Sequence, residues 1–543
     1  MSDSKSIRYV HATKPSGIQV IDALLEGYVW NQDYDGGLSL SFSFPWTQGS
    51  SWFNGRTNNY TKLDEPSATY HYALSAVEQQ AARSALQAWA NVANIRFNEV
   101  PDNATSAGDI RIAWTSATND GGKSWGWAYA PAEIPAAGDI WLYNNNSATK
   151  NPVWNKSSFN YMSLMHEIGH TLGLKHPFDD DINLPKDLDN TRMTIMSYDI
   201  YDNHTFRTIS YDSSGKPSFN YFNILPETPM ILDIAAAQYL YGPNMSYHAG
   251  DDVYNFDPNT PFMMTIWDAG GNDTISARDF KEACYIDLND GHYSNLTIKS
   301  APNPPGYIGG DIPDYTGYSN LGIAWGAHIE NAVGGSGDDV LIGNKLNNLL
   351  AGMNGNDQII GGDGIDTAMY LGPRSNYLIG TLGNKLIVTA KTGLEGRDQL
   401  ETVERLLFSD LAVAFDTNGA AGQAYRLYQA AFDRKPDLAG LGYWIYQLDR
   451  GTDINAVADA FLGSPEFVKL VGSNPSNAAL VSSFYKNVLH RAPDNSGYQF
   501  WLSNLDKKLV TPAMVLAAFA ESPENQAQVV GSIQNGIDYQ VWA

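Results

Sequence analysis

Three histidines and one glutamate lie within a short segment of this chain, HEIGHTLGLKH at 166–176. His166 and His170 are four residues apart, so on a helix both imidazoles leave the same face with their Cβ atoms about 5–6 Å apart, close enough to share one metal ion. Gly173 can adopt a positive φ and end the helix, which lets the chain turn back and present His176 from another direction. Three neutral imidazoles that leave one coordination position for water are typical of a catalytic zinc site.

Glu167 adds a candidate base to this cluster. It follows His166 directly and points slightly aside from the ligand face, where a carboxylate can accept a proton from metal-bound water and pass it to a leaving amine. The predicted chemistry is therefore hydrolysis of an amide bond, with Glu167 as the general base. A lone histidine is usually a core or surface residue, but five fixed residues at this spacing make the metal interpretation much more specific.

The zinc segment resembles the metzincin signature, and Pro177 after the third histidine narrows the resemblance to the serralysin family of bacterial proteases. The segment TIMSY (194–198) is similar to that family's Met-turn. The resemblance implies that Met196 forms a hydrophobic base beneath the metal and that Tyr198 is a catalytic residue and a switchable zinc ligand. It also implies an open edge strand before the zinc helix that pairs with extended substrate, and GWAYAP (126–131) matches that place.

A second metal-binding pattern occurs as four consecutive nine-residue units. They are GGSGDDVLI (334–342), GNKLNNLLA (343–351), GMNGNDQII (352–360) and GGDGIDTAM (361–369). Each begins with Gly, has Asp or Asn at its sixth place and carries an aliphatic residue or Ala at its eighth. Gly lets the backbone fold tightly enough for carbonyl oxygens to converge, and Asp adds charge and a further oxygen, as Ca²⁺ requires. Four such units in register predict a parallel β-roll with ions between successive turns.

The resemblance to serralysins extends over GDDVYNF (250–256), WDAGGNDTIS (267–276) and IENAVGGSGDDVLIGN (329–344). Carried over by position, it implies a set of calcium ligands: Gly250, Asp252, Asp268, Gly270, Gly271, Asp273, Glu330, Gly335, Gly337, Asp339, Asn344, Asn348, Gly352, Asn354, Gly355, Asp357, Gly361, Gly362, Asp363, Gly364 and Asp366. Leu346 and Met353 replace usual glycines, and Asn347-Asn348 replaces an acidic pair. The second turn is therefore expected to bind calcium weakly or not at all.

The elements that must position these residues are predicted to form several domains. Strands are expected at 38–44, 109–115 and 138–144, and helices at 76–93 and 161–174. After residue 419 a helical repeat follows, in which one set of residues recurs 57 positions later: Tyr428, Arg434, Pro436, Asp437, Gly440 and Trp444 return as Tyr485, Arg491, Pro493, Asp494, Gly497 and Trp501. Trp444 and Trp501 are interpreted as core aromatics in preference to sugar-stacking platforms.

The overall prediction is an α+β multidomain fold. Residues 1–16 are a leader or short propeptide, 17–250 a metzincin catalytic domain, 251–418 a calcium-binding β-roll or β-sandwich domain and 419–543 a helical tandem-repeat domain. The cofactors follow as one catalytic Zn²⁺ and several structural Ca²⁺. Polypeptides are the expected substrates and the chain is expected to be a monomer.

Composition limits the partners and the location. A formal net charge of −25 argues against nucleic-acid binding, and a single cysteine excludes an intrachain disulfide. The N-terminus lacks an apolar h-region and no run of 18 apolar residues occurs, so neither a cleaved signal peptide nor a transmembrane segment is expected. The resemblance implies type I secretion through an uncleaved C-terminal signal, with which GIDYQVWA is compatible, and hence an extracellular location with surface attachment left open.

Two other function classes remain open at this point. One is a non-catalytic, calcium-dependent surface or adhesion protein with a vestigial zinc site. The intact Glu167 argues against it, because a relic has no chemical reason to keep a base beside three ligands. The other is an amidase or deacetylase that uses the same metal.

Overall fold

The computed structural model describes residues 8–33, 36–47, 60–118, 120–144, 153–306 and 313–542. The chain divides into two compact units, residues 1–339 and 340–543. The boundary between them lies inside the predicted roll. The finer division into a leader and three domains stays a prediction.

The first unit begins with a mixed region of helices and strands. In chain order its elements are β1 (Val10–Ala12), α1 (Gln19–Asp22), β2 (Tyr28–Trp30), β3 (Leu38–Ser43), β4 (His71–Tyr72), α2 (Ala76–Val92), β5 (Ile95–Glu99), β6 (Ile110–Thr115), β7 (Gly126–Ala128), β8 (Ile140–Tyr143), α3 (Phe159–Thr171), β9 (Thr205–Tyr211), β10 (Pro217–Asn223) and α4 (Ile231–Tyr241).

The central sheet of this region has the strand order β5-β3-β6-β8-β7. Its pairs are parallel except for β7, which runs antiparallel to β8 at the edge, while β4 pairs antiparallel with β6. Alternation in LSLSFS places Leu38, Leu40 and Phe42 in the core. The predicted strands at 38–44, 109–115 and 138–144 are confirmed as β3, β6 and β8.

Helices α2 and α3 pack against each other and against the central sheet. A capping box starts α2, in which Ser75 and Glu78 satisfy each other's main-chain N–H groups, and the predicted helix at 76–93 is confirmed. The predicted helix at 161–174 begins earlier, with Ser158 as its N-cap, and ends at Thr171. It ends there because Gly173 has a φ of 91°, the left-handed conformation expected of it.

Part of the predicted leader belongs to the fold. Strand β1 pairs antiparallel with β2, and the Arg8 guanidinium donates to the main-chain oxygen of Ser39 at 2.5 Å. A single paired strand needs only main-chain hydrogen bonds, so this segment shows no apolar period that sequence reasoning could detect. Residues 1–7 lie outside the described part of the chain.

The rest of the first unit consists of short strands: β11 (Val253–Asn255), β12 (Met264–Ile266), β13 (Thr274–Ser276), β14 (Tyr285–Asp287), β15 (Tyr293–Ser294), β16 (Leu321–Ile323) and β17 (Asn331–Val333). Strands β11, β13 and β17 are parallel neighbours, as are β12 and β16.

The second unit begins with the repeat region. Its strands are β18 (Val340–Ile342), β19 (Leu349–Ala351), β20 (Gln358–Ile360), β21 (Thr367–Met369), β22 (Tyr377–Leu382), β23 (Lys385–Ala390), β24 (Arg397–Glu401), β25 (Arg405–Leu407) and β26 (Ala412–Ala414). Strands β18 and β20 pair in parallel, and so do β19 and β21. The eighth residues of the four repeats, Leu341, Leu350, Ile359 and Ala368, are all buried. The predicted parallel β-roll is confirmed.

Helices follow the roll: α5 (Ala420–Phe432), α6 (Leu438–Asp449), α7 (Ile454–Leu462), α8 (Pro465–Val471), α9 (Asn477–Asn487), α10 (Asn495–Asp506), α11 (Pro512–Ala520) and α12 (Pro523–Ile533). The internal repeat appears as two equivalent ion pairs, Arg434 with Glu466 and Arg491 with Glu524. Trp444 and Trp501 pack against the helical core, as predicted.

The C-terminal segment returns to the sheet of the second unit. Strand β27 (Ile537–Tyr539) pairs antiparallel with β26, and the side chains of Ile537 and Tyr539 are buried. Within the described ranges, no helix combines the length and the apolar character needed to cross a bilayer.

Candidate metal centres

The three histidines of the zinc segment point their Nε2 atoms at one position. The Nε2 of His170 lies 3.2 Å from that of His166 and 3.1 Å from that of His176. Three nitrogens bound to one tetrahedral zinc, each at roughly 2.0–2.1 Å, stand about 3.3 Å apart. The spacing of these atoms therefore fits a single zinc ion.

The opposite ring nitrogens have acceptors of their own. The Nδ1 atom of His166 lies 2.7 Å from the main-chain oxygen of Ile195, and that of His170 lies 2.8 Å from the oxygen of Leu174. Nδ1 of His176 lies 2.8 Å from a carboxylate oxygen of Asp179. An Nδ1–H that donates leaves the Nε2 lone pair for a metal. The donor set is therefore that of three neutral imidazoles.

Burial favours the same neutral form. Burial and the neighbouring imidazoles hold the pKa of His166 well below its usual range and lower the pKa of His170 to about 4. Burial also lowers the pKa of His176, although Asp179 opposes the shift. At neutral pH all three rings are therefore ready to act as ligands.

The C-terminal end of the zinc helix is held by buried side chains. Trp30 Nε1 donates to the main-chain oxygen of Thr171 at 2.7 Å, and Tyr241 donates its hydroxyl to that of Leu172 at 2.7 Å. These bonds satisfy carbonyls that the end of α3 leaves without helical partners. They place His170 and the turn at Gly173 on a rigid support.

The segment predicted to be a Met-turn lies beneath the zinc helix. A Cβ atom on Gly169 would stand 2.6 Å from Sδ of the fully buried Met196, so only glycine fits there. Asp233 on α4 holds this segment, since its carboxylate accepts from Thr194 Oγ1 at 2.6 Å and from the N–H groups of Ile195 and Met230 at 2.8 Å. Asp233 therefore supports the carbonyl that orients His166.

Glu167 and Tyr198 lie beside the histidines. Glu167 is 7% exposed, and burial raises the pKa of its carboxyl to about 8. The Tyr198 ring lies 4.5 Å from the His176 ring and 5.7 Å from that of His166, and is 64% exposed. Burial of its hydroxyl and the nearby carboxylates raise the pKa of Tyr198 to about 12. The structure thus brings both predicted catalytic residues to the cluster.

Sequence reasoning missed Asp179 and Asp233. Asp179 follows His176 by three residues, so a search for hydrogen-bond partners of the third histidine could have found it. Asp233 interrupts the otherwise apolar sequence ILDIAAA, and a charged residue there indicates a specific partner. The identity of that partner depends on the fold.

Strand β7 lies where 126–131 is predicted to form an edge strand, and its pairing with substrate stays a prediction. It is the last strand of its sheet in the part of the chain that the structure describes. Its neighbouring aromatic side chains are anchored by the buried Glu65, which accepts from Trp127 Nε1 at 3.2 Å and from the Tyr129 hydroxyl. An anchored edge of this kind is suited to β-strand addition.

The predicted calcium ligands of the first unit come together around three aspartates. Oxygens of Asp252, Asp268 and Asp273 all lie within 4.8 Å of one another. Glu330 accepts from the N–H of Asp273 at 2.8 Å. A Cβ on Gly271 would meet the carbonyl oxygen of Gly250 at 2.4 Å. Convergent carboxylates and carbonyls without an interposed side chain form the kind of oxygen set that Ca²⁺ requires.

The repeat turns bury their sixth residues. Asp339, Asn348, Asp357 and Asp366 are each no more than 2% exposed. Burial and nearby acids raise the pKa of Asp366 to about 7, and its Oδ2 atom is buried with no hydrogen-bond partner among the described residues. A buried acceptor of this kind indicates a cation that belongs beside it.

The other predicted ligands of the roll line close contacts between turns. A Cβ atom added to Gly335, Gly362 or Gly364 would overlap a main-chain oxygen of a facing turn. Met353 has a φ of 72°, the conformation that the usual glycine adopts more easily. Gly270 belongs to the first unit, where its N–H donates to Asp268. The remaining predicted residues lie in the turns of the roll: Gly337, Asn344, Gly352, Asn354, Gly355, Gly361 and Asp363.

Two acids outside the repeats face the last turns, and the nine-residue pattern does not reveal them. Asp398 accepts from the N–H of Asp357 at 2.9 Å, and Glu404 accepts from that of Asp366 at 2.9 Å. Between two of the repeats, Asp366 accepts in the same way from the N–H of Asn348. Glu404 accepts from Asp366 as Glu330 accepts from Asp273, and this equivalence is visible only in the structure.

Family models match four parts of the chain. Residues 57–201 match the family described as Matrixin, and residues 232–300 match Peptidase M10 serralysin C terminal. Residues 333–368 match the RTX calcium-binding nonapeptide repeat in four copies. Residues 422–471 and 458–529 match a Domain of unknown function (DUF4214).

Curated relatives are similar over half of the chain or somewhat more. Metalloprotease AprA of Pseudomonas entomophila is 32% identical over 348 residues, which cover 60% of this chain and 63% of the relative. Serralysin of Photorhabdus luminescens is 33% identical over 51% of this chain and 54% of its own length. Serralysin G of Dickeya chrysanthemi is 34% identical over 51% and 55%. The chain thus spans between half and two thirds of the length of these relatives.

Proposed function

Because this chain joins a matrixin-type segment to a serralysin C-terminal segment and RTX calcium-binding repeats, we propose that it is a zinc-dependent endopeptidase acting on polypeptides. The observation that carries the proposal is the convergence of three Nε2 atoms next to a buried glutamate. Each of the three imidazoles is oriented by a hydrogen bond at Nδ1, as in sites that hold a catalytic metal.

Each residue of the centre has a defined part in peptide hydrolysis. His166, His170 and His176 would hold a zinc ion, which would supply a Lewis acid for the scissile carbonyl and for water. Glu167 accepts a proton as the water oxygen bonds to the carbonyl carbon, and it delivers the proton to the nitrogen as the C–N bond breaks. Tyr198 keeps its proton at neutral pH, since its pKa is about 12, and donates a hydrogen bond to the developing oxyanion.

The substrate backbone is positioned by strand addition to β7. An extended polypeptide that pairs with Gly126–Ala128 is held by main-chain hydrogen bonds, which require no particular side chain. Glu65 supports this edge through Trp127 and Tyr129. This mode suits an endopeptidase more than an amidase or deacetylase of small substrates, because a small substrate has no strand to add.

The calcium ions have a structural part. In the second unit, Asp357 and Asp366 with Asp398 and Glu404 hold the last turns of the roll together when calcium neutralises their mutual repulsion. The turn at Asn348 has an amide in place of a carboxylate, so it binds more weakly. Stability then increases with the calcium concentration, because only the folded turns offer a complete site.

Calcium-dependent folding also suits export by a type I secretion system. Ile537 and Tyr539 near the C-terminus are buried in β27, so this segment is accessible as a linear signal only before the second unit folds. The chain then acts outside the cell as a monomer. We assign residues 17–250 to the catalytic domain, 251–418 to the calcium-binding domain and 419–543 to the helical repeats. Residues 1–16 are the proposed leader, part of which is strand β1 and pairs with β2.

The test compares wild type with Glu167→Gln on denatured casein in the presence of zinc and calcium. Loss of the base is expected to remove nearly all turnover while zinc content stays at one per chain, because Glu167 is not a ligand. Glu282→Gln, which only breaks a surface ion pair with Lys299, serves as a matched control that retains activity. Wild type that binds zinc but cleaves no polypeptide would contradict the proposal and favour a non-catalytic calcium-binding protein.

A further inference from the structure

An exposed phenylalanine lies against the third histidine of the zinc segment. The Phe178 ring is parallel to the His176 imidazole, with centroids 5.1 Å apart and an interplanar angle of 7°. It also lies 5.2 Å from the Tyr198 ring at 56°. Phe178 and Tyr198 thus meet at an angle beside the His176 imidazole, and we call this pair of rings the aromatic ledge.

The aromatic ledge is open to solvent, with Phe178 40% and Tyr198 64% exposed. The orientation of His176 does not depend on Phe178, because its Nδ1 is already bonded to Asp179. Apolar ring surface in water is unfavourable, and it becomes favourable when another apolar group covers it. The group that reaches a position beside the zinc-binding nitrogens during turnover is a side chain of the bound polypeptide.

We propose that Phe178 determines specificity by binding a large apolar side chain of the substrate next to the cleaved bond, an inference that rests on the proposed endopeptidase function. Aromatic and long aliphatic side chains cover both rings of the ledge, whereas alanine covers little of either. Asp179, Asp180 and Asp181 follow Phe178 directly, so acidic side chains are repelled from this place. The expected order of preference is Phe and Leu, then Ala, then Asp.

The test uses peptides that differ only in one residue flanking the cleaved bond, on either side, with Phe, Leu, Ala, Arg or Asp. Wild type is expected to cleave the Phe and Leu peptides with at least tenfold higher kcat/KM than the Ala peptide, at one of the two positions. Phe178→Ala is expected to reduce that ratio about tenfold by lowering kcat/KM for the Phe and Leu peptides. Phe222→Ala is the control, because it removes a ring of similar exposure that packs on Phe206.

Binding provides a readout that does not depend on turnover. In the Glu167→Gln background, peptide affinity measured by fluorescence anisotropy is expected to show the same preference, and Phe178→Ala is expected to abolish it. Phe178→Leu is a second variant that keeps apolar contact, so it should retain the preference for Leu and weaken that for Phe.

The outcomes separate the two proposals. The specificity role of Phe178 would be overturned if Phe178→Ala kept the full preference for Phe and Leu peptides. It would also be overturned if the variant lost activity equally on all peptides. A preference for the Arg peptide over the Phe peptide would also overturn it, because attraction to the three aspartates would then determine the specificity. Wild type that cleaves none of the peptides or casein contradicts the endopeptidase function, while the binding arm still decides whether the aromatic ledge selects apolar side chains.

Discussion

The carboxylate of Asp179 lies 2.8 Å from Nδ1 of His176. The other two histidines of the cluster are held by main-chain carbonyls instead, those of Ile195 and Leu174. His176 lies beyond the helix in a connecting segment, so its ring has no helical turn to restrain it. A carboxylate partner therefore determines both its tautomer and its orientation.

Asp179→Ala is expected to weaken zinc binding by about 10- to 100-fold, because the third imidazole loses its orienting acceptor. Asp179→Asn should have a smaller effect, since an amide oxygen can still accept from Nδ1. Affinity is measured by competition with a chelator. Asp181→Ala removes a charge from the same segment and should leave the affinity unchanged. Equal affinity in wild type and Asp179→Ala would show that the contact has no such role.

The raised pKa of Asp233 predicts that the free energy of unfolding depends on pH. Burial raises the pKa of its carboxyl from 3.8 to about 6, although three hydrogen bonds oppose the shift. The folded chain therefore keeps a proton that the unfolded chain releases between about pH 4 and 6, and this group's contribution to the free energy of unfolding decreases as pH rises through that window. The decrease is at most about 3 kcal/mol.

Asp233→Asn is expected to lack that decrease while remaining zinc-binding. The measurement is denaturant unfolding of wild type and Asp233→Asn from about pH 4 to pH 7. The difference between their free energies of unfolding should change with pH only below about pH 6. Asp202→Asn, at an exposed position, is the control whose profile follows wild type. A pH-independent difference would mean that Asp233 is already ionised in the folded chain throughout this range.

Asp398 and Glu404 are expected to bind calcium although neither belongs to a repeat. Asp398→Asn or Glu404→Gln should each weaken calcium binding by the second unit on the order of tenfold, because each removes one charge from a hard-cation site. Calorimetric titration of the full chain measures the affinity and the number of ions. Asp459→Asn on α7 is a control with the same change of charge. Unchanged binding in both variants would exclude them as ligands.

The pairing of strand β27 with β26 predicts that residues 537–539 stabilise the second unit. Ile537→Ala is expected to lower its free energy of unfolding by about 2–5 kcal/mol, the usual cost of a buried aliphatic truncation. Val541→Ala, at a half-exposed position just beyond the strand, should change it by less than about 0.5 kcal/mol. Denaturant unfolding at saturating calcium gives both values. An equal effect of the two substitutions would show that Ile537 does not pack as the structure places it.

Local features were predictable wherever spacing and backbone geometry act over a few residues. The i, i+4 relation of His166 and His170 and the positive φ of Gly173 follow from helix geometry. The nine-residue period placed Leu341 and its three counterparts inside the roll, because equivalent residues of successive repeats pack into one continuous core. The start of α3 was missed because its N-cap, Ser158, depends on one side-chain hydrogen bond that has no periodic signature.

Contacts between distant parts of the chain were decided only by the tertiary structure. Asp233 meets Ile195 across 38 residues and Asp398 meets Asp357 across 41, and no local pattern says which donor a buried carboxylate will find. Phe178 lies against Tyr198 because the chain returns past the zinc segment to form the Met-turn. The sequence by itself determined which side chains could bind metal and polarise a peptide bond. The path of the chain decided which groups orient them, because hydrogen bonds and ring contacts depend on distances in space and not on separation along the chain.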